Sequence, residues 1–157
     1  MSGGGPKPAL APQRRELDLA GHGPGAIGRS RRFVGEALAQ WLESAVGQAA
    51  DPAEAGRIRD QFVQDMQILV SEVVTNACVH TAGPLGLLVD CAPERLRLEV
   101  TDSSPVVPVP REPGQGEPGG YGLLVAQRLA RAWGTEPHGE GKAVWLEVDW
   151  PQWSMSA

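Results

Sequence analysis

The sequence predicts an α/β fold: a two-layer sandwich with helices on one face of a mostly antiparallel, mixed sheet. Three observations predict it. Two long segments repeat apolar residues at helical spacing, at about residues 26–46 and 57–81. Two pairs of short alternating runs follow them, each joined by turn residues, as in hairpins. A proline-laden break separates the pairs, so the order reads helix, helix, hairpin, loop, helix, hairpin.

Residues 1–13 are Gly, Pro and Ala with few large apolar groups and read as a disordered tail. Arg15 to Leu19 alternates like a short edge strand. Ile27, Phe33, Val34, Ala37, Leu38, Trp41 and Leu42 give the first helix its apolar stripe, with Arg29, Arg31 and Arg32 on the outer side. Asp51-Pro52 is a start signal for the second helix, because Asp caps free N–H groups and Pro fits the first turn. The stripe Phe62, Met66, Leu69, Val70, Val73, Val74 and Ala77 then runs to Thr81. Leu85 to Cys91 and Leu96 to Asp102 form the first hairpin around Ala92-Pro93-Glu94. Leu96, Leu98 and Val100 share one face.

Ser103 to Pro118 holds five prolines and supports no regular element, which marks it as a lid. Gly119, Gly120 and Gly122 open a third helix that is expected to run through Leu129 and Trp133 and stop at Gly134. Thr135 to His138 and Ala143 to Trp150 close the chain as strands. One domain, residues 14–150, accounts for the pattern, with residues 151–157 as a C-terminal tail.

Composition narrows the function classes. The net charge of −5 disfavours a protein that grips phosphate backbones, so no direct nucleic-acid contact is expected. Cys78 and Cys91 lie in apolar segments and read as buried thiols of a reducing compartment. His22, His80 and His138 are too scattered for zinc. No leader and no membrane span are evident, and a cytoplasmic location is expected.

Chemistry concentrates on the second helix. Glu72, Asn76 and His80 recur at i, i+4 and i+8, which places a carboxylate, an amide and an imidazole on one face. Apolar and small residues surround them, and no Lys or Arg follows before Arg95. An acceptor-only carboxylate beside a neutral carbonyl suits a divalent cation and a proton acceptor. A solvated helix face is the competing reading. The glycines at 119, 120 and 122 suit a phosphate site at a helix start, and equally a plain turn. The string Gly114-x-Gly116-x-x-Gly119 does not follow its strand directly, so it fails as a dinucleotide fingerprint.

The run from Glu72 to His80, E-V-V-T-N-A-C-V-H, resembles the N box of the GHKL superfamily of ATP-binding proteins. Asp102 with Ser103-Ser104 resembles its adenine box, Gly119-Gly120-Tyr121-Gly122-Leu123 its glycine box, and Gly141-Lys142-Ala143-Val144-Trp145 its final strand motif. The short form beginning with an Arg-rich helix is most similar to bacterial anti-sigma factors that act as serine/threonine kinases on their antagonists. The resemblance implies the Bergerat-type ATPase fold and ATP with Mg²⁺ as cofactors. It implies that Asn76 binds the magnesium ion, Glu72 accepts the hydroxyl proton, and Asp102 accepts from the adenine amine. His80, Ser104 and Leu123 then belong to the nucleotide site with the three glycines. Arg111 is the one cation of the lid. A sigma factor and a STAS-type antagonist are the implied partners, with homodimerisation left open.

A non-catalytic module that sequesters its partner is the alternative. Two departures bear on it: Gly is usual at Ser104 and Thr at Ala143. Loss of a neutral hydrogen bond costs about 1 kcal/mol, so weakened rather than abolished ATP binding is expected.

Overall fold

The computed structural model describes residues 10–106 and 128–156. Strand β1 (Gln13–Asp18) leads to two helices, α1 (Gly25–Gly47) and α2 (Pro52–His80). Four strands follow: β2 (Pro84–Ala92), β3 (Arg95–Asp102), β4 (Ala132–His138) and β5 (Gly141–Val148). They form one five-stranded sheet in the order β1-β2-β3-β5-β4, and every pairing among them is antiparallel. The mixed sheet anticipated from the sequence is thus wholly antiparallel among the described residues.

The helices form where their signals stand. Asp51 accepts a hydrogen bond from Glu54 N and Pro52 occupies the first turn, so α2 starts with its free N–H groups served. The two helices pack antiparallel, since Gln67 Nε2 on α2 donates to Arg31 O near the start of α1, and Cys78 Sγ donates to Gly23 O just before it. Their apolar stripes close one core with the alternate strand residues Leu87, Val89, Cys91, Leu96, Leu98, Val100, Val144, Leu146 and Val148. Both helices therefore lie on one face of the sheet, as the alternation requires. The opposite face carries Arg95, Arg97, Glu99 and Glu147 in ion pairs, with the Arg97 guanidinium over the Trp145 ring at 4.6 Å.

Three boundaries differ from expectation. Of the third helix, only Arg128 and Leu129 among the described residues have helical backbone. Trp133 and Gly134 belong to β4, paired with Leu146 and Trp145. Gly134 serves packing rather than termination: a Cβ there would lie 2.9 Å from the Trp145 ring. Residues 10–13, assigned to a tail, join the fold: Gln13 opens β1, Leu10 packs on the core and Trp41 Nε1 donates to Ala11 O.

The C-terminal segment is also built in. Trp150 leaves β5 and stacks on Trp41 at 4.3 Å, its Nε1 donating to Ala92 O. Met155 bridges to Ala49 across the α1–α2 connection. Of the two cysteines only Cys91 is buried; Cys78 is partly exposed, and both are free thiols.

Candidate functional site

One end of the molecule collects the chemistry. Pro84 follows α2 after three residues and pairs with Asp102, the last residue of β3. Asp102 in turn pairs with Lys142 at the start of β5. The antiparallel packing brings the beginning of α1 to the same end, beside Cys78. The C-terminal turns of α2, the end of β3 and the start of β5 thus converge from segments far apart in sequence.

The stripe on α2 is divided by burial. Asn76 is 9% exposed, and its Oδ1 is buried with no hydrogen-bond partner among the described residues. Glu72, one turn earlier, is half-buried and enters no ion pair among the described residues. Ser71 and Thr75 lie alongside but spend their hydroxyls on helix carbonyls, on Gln67 O and Ser71 O at 2.6 Å each. His80 ends α2 and is exposed. A buried carbonyl oxygen without a donor costs desolvation free energy that nothing in the fold returns. Such an atom suits a ligand that brings its own positive charge.

Asp102 is 3% exposed and Lys142 6%. Strand alternation explains this, because Asp102 continues the core-facing row Leu96, Leu98 and Val100, and Lys142 continues Val144, Leu146 and Val148. Lys142 Nζ donates to Asp102 Oδ1 at 2.9 Å and to Ser104 O at 3.0 Å. Ser104 N donates to the same Asp102 oxygen at 2.8 Å. One carboxylate oxygen is held by two donors, while Oδ2 takes no hydrogen bond among the described residues. Gly141 makes the close approach possible: a Cβ there would lie 1.9 Å from Asp102 O.

Both departures noted in the motifs change meaning here. No non-glycine residue described has a positive φ, so Ser104 sits in backbone that L-residues adopt freely. Its N–H and carbonyl both serve the Asp102–Lys142 pair. Ala143 points to the opposite face of β5, beside Thr101 and Glu136. The residue on β5 that faces Asp102 is Lys142, so the hydroxyl thought lost at 143 has no place in the Asp102 network.

Lys142 is the site residue that sequence reasoning passed over. The signal was present, since a lysine two residues before Val144 falls on the core face of an alternating strand and must there find an anion. Arg111, Gly119, Gly120, Gly122 and Leu123, together with most of the lid, lie outside the described residues.

The donor set can be tested against magnesium. Mg²⁺ prefers oxygen ligands and is commonly held by one or two protein oxygens together with substrate phosphates. The unpartnered Oδ1 of Asn76 is a ligand of that kind. Among the described residues no three or more His, Cys, Asp or Glu gather as a metal site. The residues present fit a cation shared with phosphate oxygens.

A two-layer sandwich with such an oxygen on a helix and a buried carboxylate at a strand end is an α/β protein whose site is compatible with a nucleotide. The histidine kinase-like ATPase domain family matches residues 29–148, and this chain belongs to that family. Membership supports ATP binding, with kinase-like chemistry at a coarse level. No curated protein matches the chain. No helix among the described residues is long and apolar enough to cross a membrane.

Proposed function

We propose that the protein is an anti-sigma factor that binds Mg-ATP and acts as a serine/threonine protein kinase on a STAS-type antagonist. The observation that carries the nucleotide part is the buried, unpartnered Oδ1 of Asn76 one helical turn from Glu72, which enters no ion pair among the described residues. Bound Mg-ATP supplies the phosphoryl group and the cation that offsets its charge. Asn76 Oδ1 would hold that cation. Glu72 stands within the same helix face and accepts the proton of the incoming hydroxyl. Asp102 receives the base, its carboxylate fixed by Lys142 and Ser104.

The partner assignment rests on the resemblance of the short form with an Arg-rich first helix to anti-sigma factor kinases; the guanidinium groups of Arg29, Arg31 and Arg32 at the start of α1 are exposed. They lie at the same end as the stripe, where an acidic surface of a sigma factor or antagonist would meet the nucleotide site. A STAS-type antagonist incubated with labelled ATP and Mg²⁺ should acquire acid-stable phosphate on Ser or Thr. Glu72→Ala and Asn76→Ala should abolish it. ATP binding without labelling of any candidate antagonist would sink the kinase reading. It would favour partner sequestration, in which Glu72→Ala leaves partner binding unchanged. Acid-labile phosphate would instead indicate a histidine acceptor.

A further inference from the structure

Lys142 is nearly closed from water, yet binding a base through Asp102 alone gives it no part beyond neutralising that carboxylate. An ammonium has three N–H donors. Two are spent, on Asp102 Oδ1 and on Ser104 O. Among the described residues the third has no acceptor, and Asp102 Oδ2 has no donor. The buried pair thus offers a charged donor and a charged acceptor side by side. The amino-pyrimidine edge of adenine is the complement, a ring nitrogen acceptor, N1, next to an exocyclic amine donor, N6.

We propose that Lys142 reads the base: its third N–H donates to adenine N1 while Asp102 Oδ2 accepts from the N6 amine. This rests on the reading that Asp102 receives the base. Neither group is free to turn away. Lys142 is anchored by two bonds, Asp102 Oδ1 is gripped from two sides, and Gly141 lets the strands close on each other. A site with its donors already oriented and dry discriminates strongly against a ligand lacking the matching acceptor, because the charged donor then stays unpaired.

The test is calorimetric binding of ATP, 1-deaza-ATP, which lacks N1, and 7-deaza-ATP, which keeps N1 and N6, all with Mg²⁺. Wild type is expected to bind 1-deaza-ATP about tenfold or more weakly than ATP, the size of a hydrogen bond to a charged group, and 7-deaza-ATP about as well as ATP. In Lys142→Met the ATP to 1-deaza-ATP ratio should collapse to near one, with the ligand-free melt reporting that the variant folds. If Lys142→Met does not fold, because Asp102 is left buried without its cation, the wild-type ratios decide alone. Equal affinity of wild type for ATP and 1-deaza-ATP, equal losses with both analogues, or an unchanged ratio in Lys142→Met overturns the role of Lys142 and leaves ATP binding standing. Absence of any magnesium-dependent ATP binding overturns both readings together.

Discussion

Asn76→Leu separates the two ways in which this residue acts. Its Oδ1 is buried without a partner, in a side chain 9% exposed. An acceptor stranded in this way carries a desolvation penalty of about 1–3 kcal/mol. Leucine has the same branching with no polar atom, at the expense of extra volume that takes back part of the gain. The nucleotide-free variant should therefore be as stable as wild type or about 1–2 kcal/mol more stable. At this chain length that is a rise in melting temperature of roughly 2–8 °C.

Saturating Mg-ATP should reverse the order. A ligand at a hundred times its dissociation constant stabilises by about 2.7 kcal/mol, and only the wild type keeps the oxygen proposed to hold the cation. The assay is a pair of thermal melts of each protein, with and without Mg-ATP, supported by urea titration. The two stability orders should cross. A nucleotide-free Asn76→Leu protein more than 1 kcal/mol less stable than wild type would show that Oδ1 is satisfied in solution, and would refute the argument. An undiminished Mg-ATP shift in the variant would remove Asn76 from the nucleotide.

Other perturbations follow from the same geometry. Gly141→Ala drives a Cβ into the Asp102 carbonyl, so β3 and β5 must part; urea titration should show a loss of about 1–3 kcal/mol, and ATP affinity should fall with it. Trp41→Ala removes the stack on Trp150 and the bond to Ala11 O, and a buried tryptophan truncation costs about 3–5 kcal/mol by the same titration. Burial, with Asp90 nearby, pushes the Cys91 thiol up from 9.0 to about 12, while burial raises Cys78 as well. In the folded protein a thiol reagent at pH 8 should therefore modify the partly exposed Cys78 first and reach Cys91 on unfolding. Unfolded Cys91 releases its proton above about pH 9 while the folded form keeps it. Stability from this group is thus complete below that pH and declines toward pH 12, by at most about 1.4 kcal/mol per pH unit. Urea midpoints of wild type and Cys91→Ala between pH 8 and 10.5 check the sign.

Much of the scaffold was legible in the one-dimensional pattern. Asp51-Pro52 announces α2, and the helical repeat from Phe62 to Ala77 states which side is buried. The alternation of Leu96, Leu98 and Val100 assigns the faces of β3. Glu72 and Asn76 fall on one helix face because four residues make about one turn. The periods that carry these readings are local properties of the backbone.

What depends on pairing between distant segments was decided only in three dimensions. Trp133 and Gly134 suit a helix end by neighbours alone, and became strand because β5 offers them a ladder with Leu146 and Trp145. Trp41 and Trp150 meet across most of the chain. The register of β3 on β5 seats Lys142 rather than residue 143 against Asp102, and a shift of one residue would send that ammonium to the other face. The sequence by itself determined which residues can bear charge, helix or strand. Tertiary structure decided which of them are deprived of water together, because burial is a property of the assembled layers and not of any single segment.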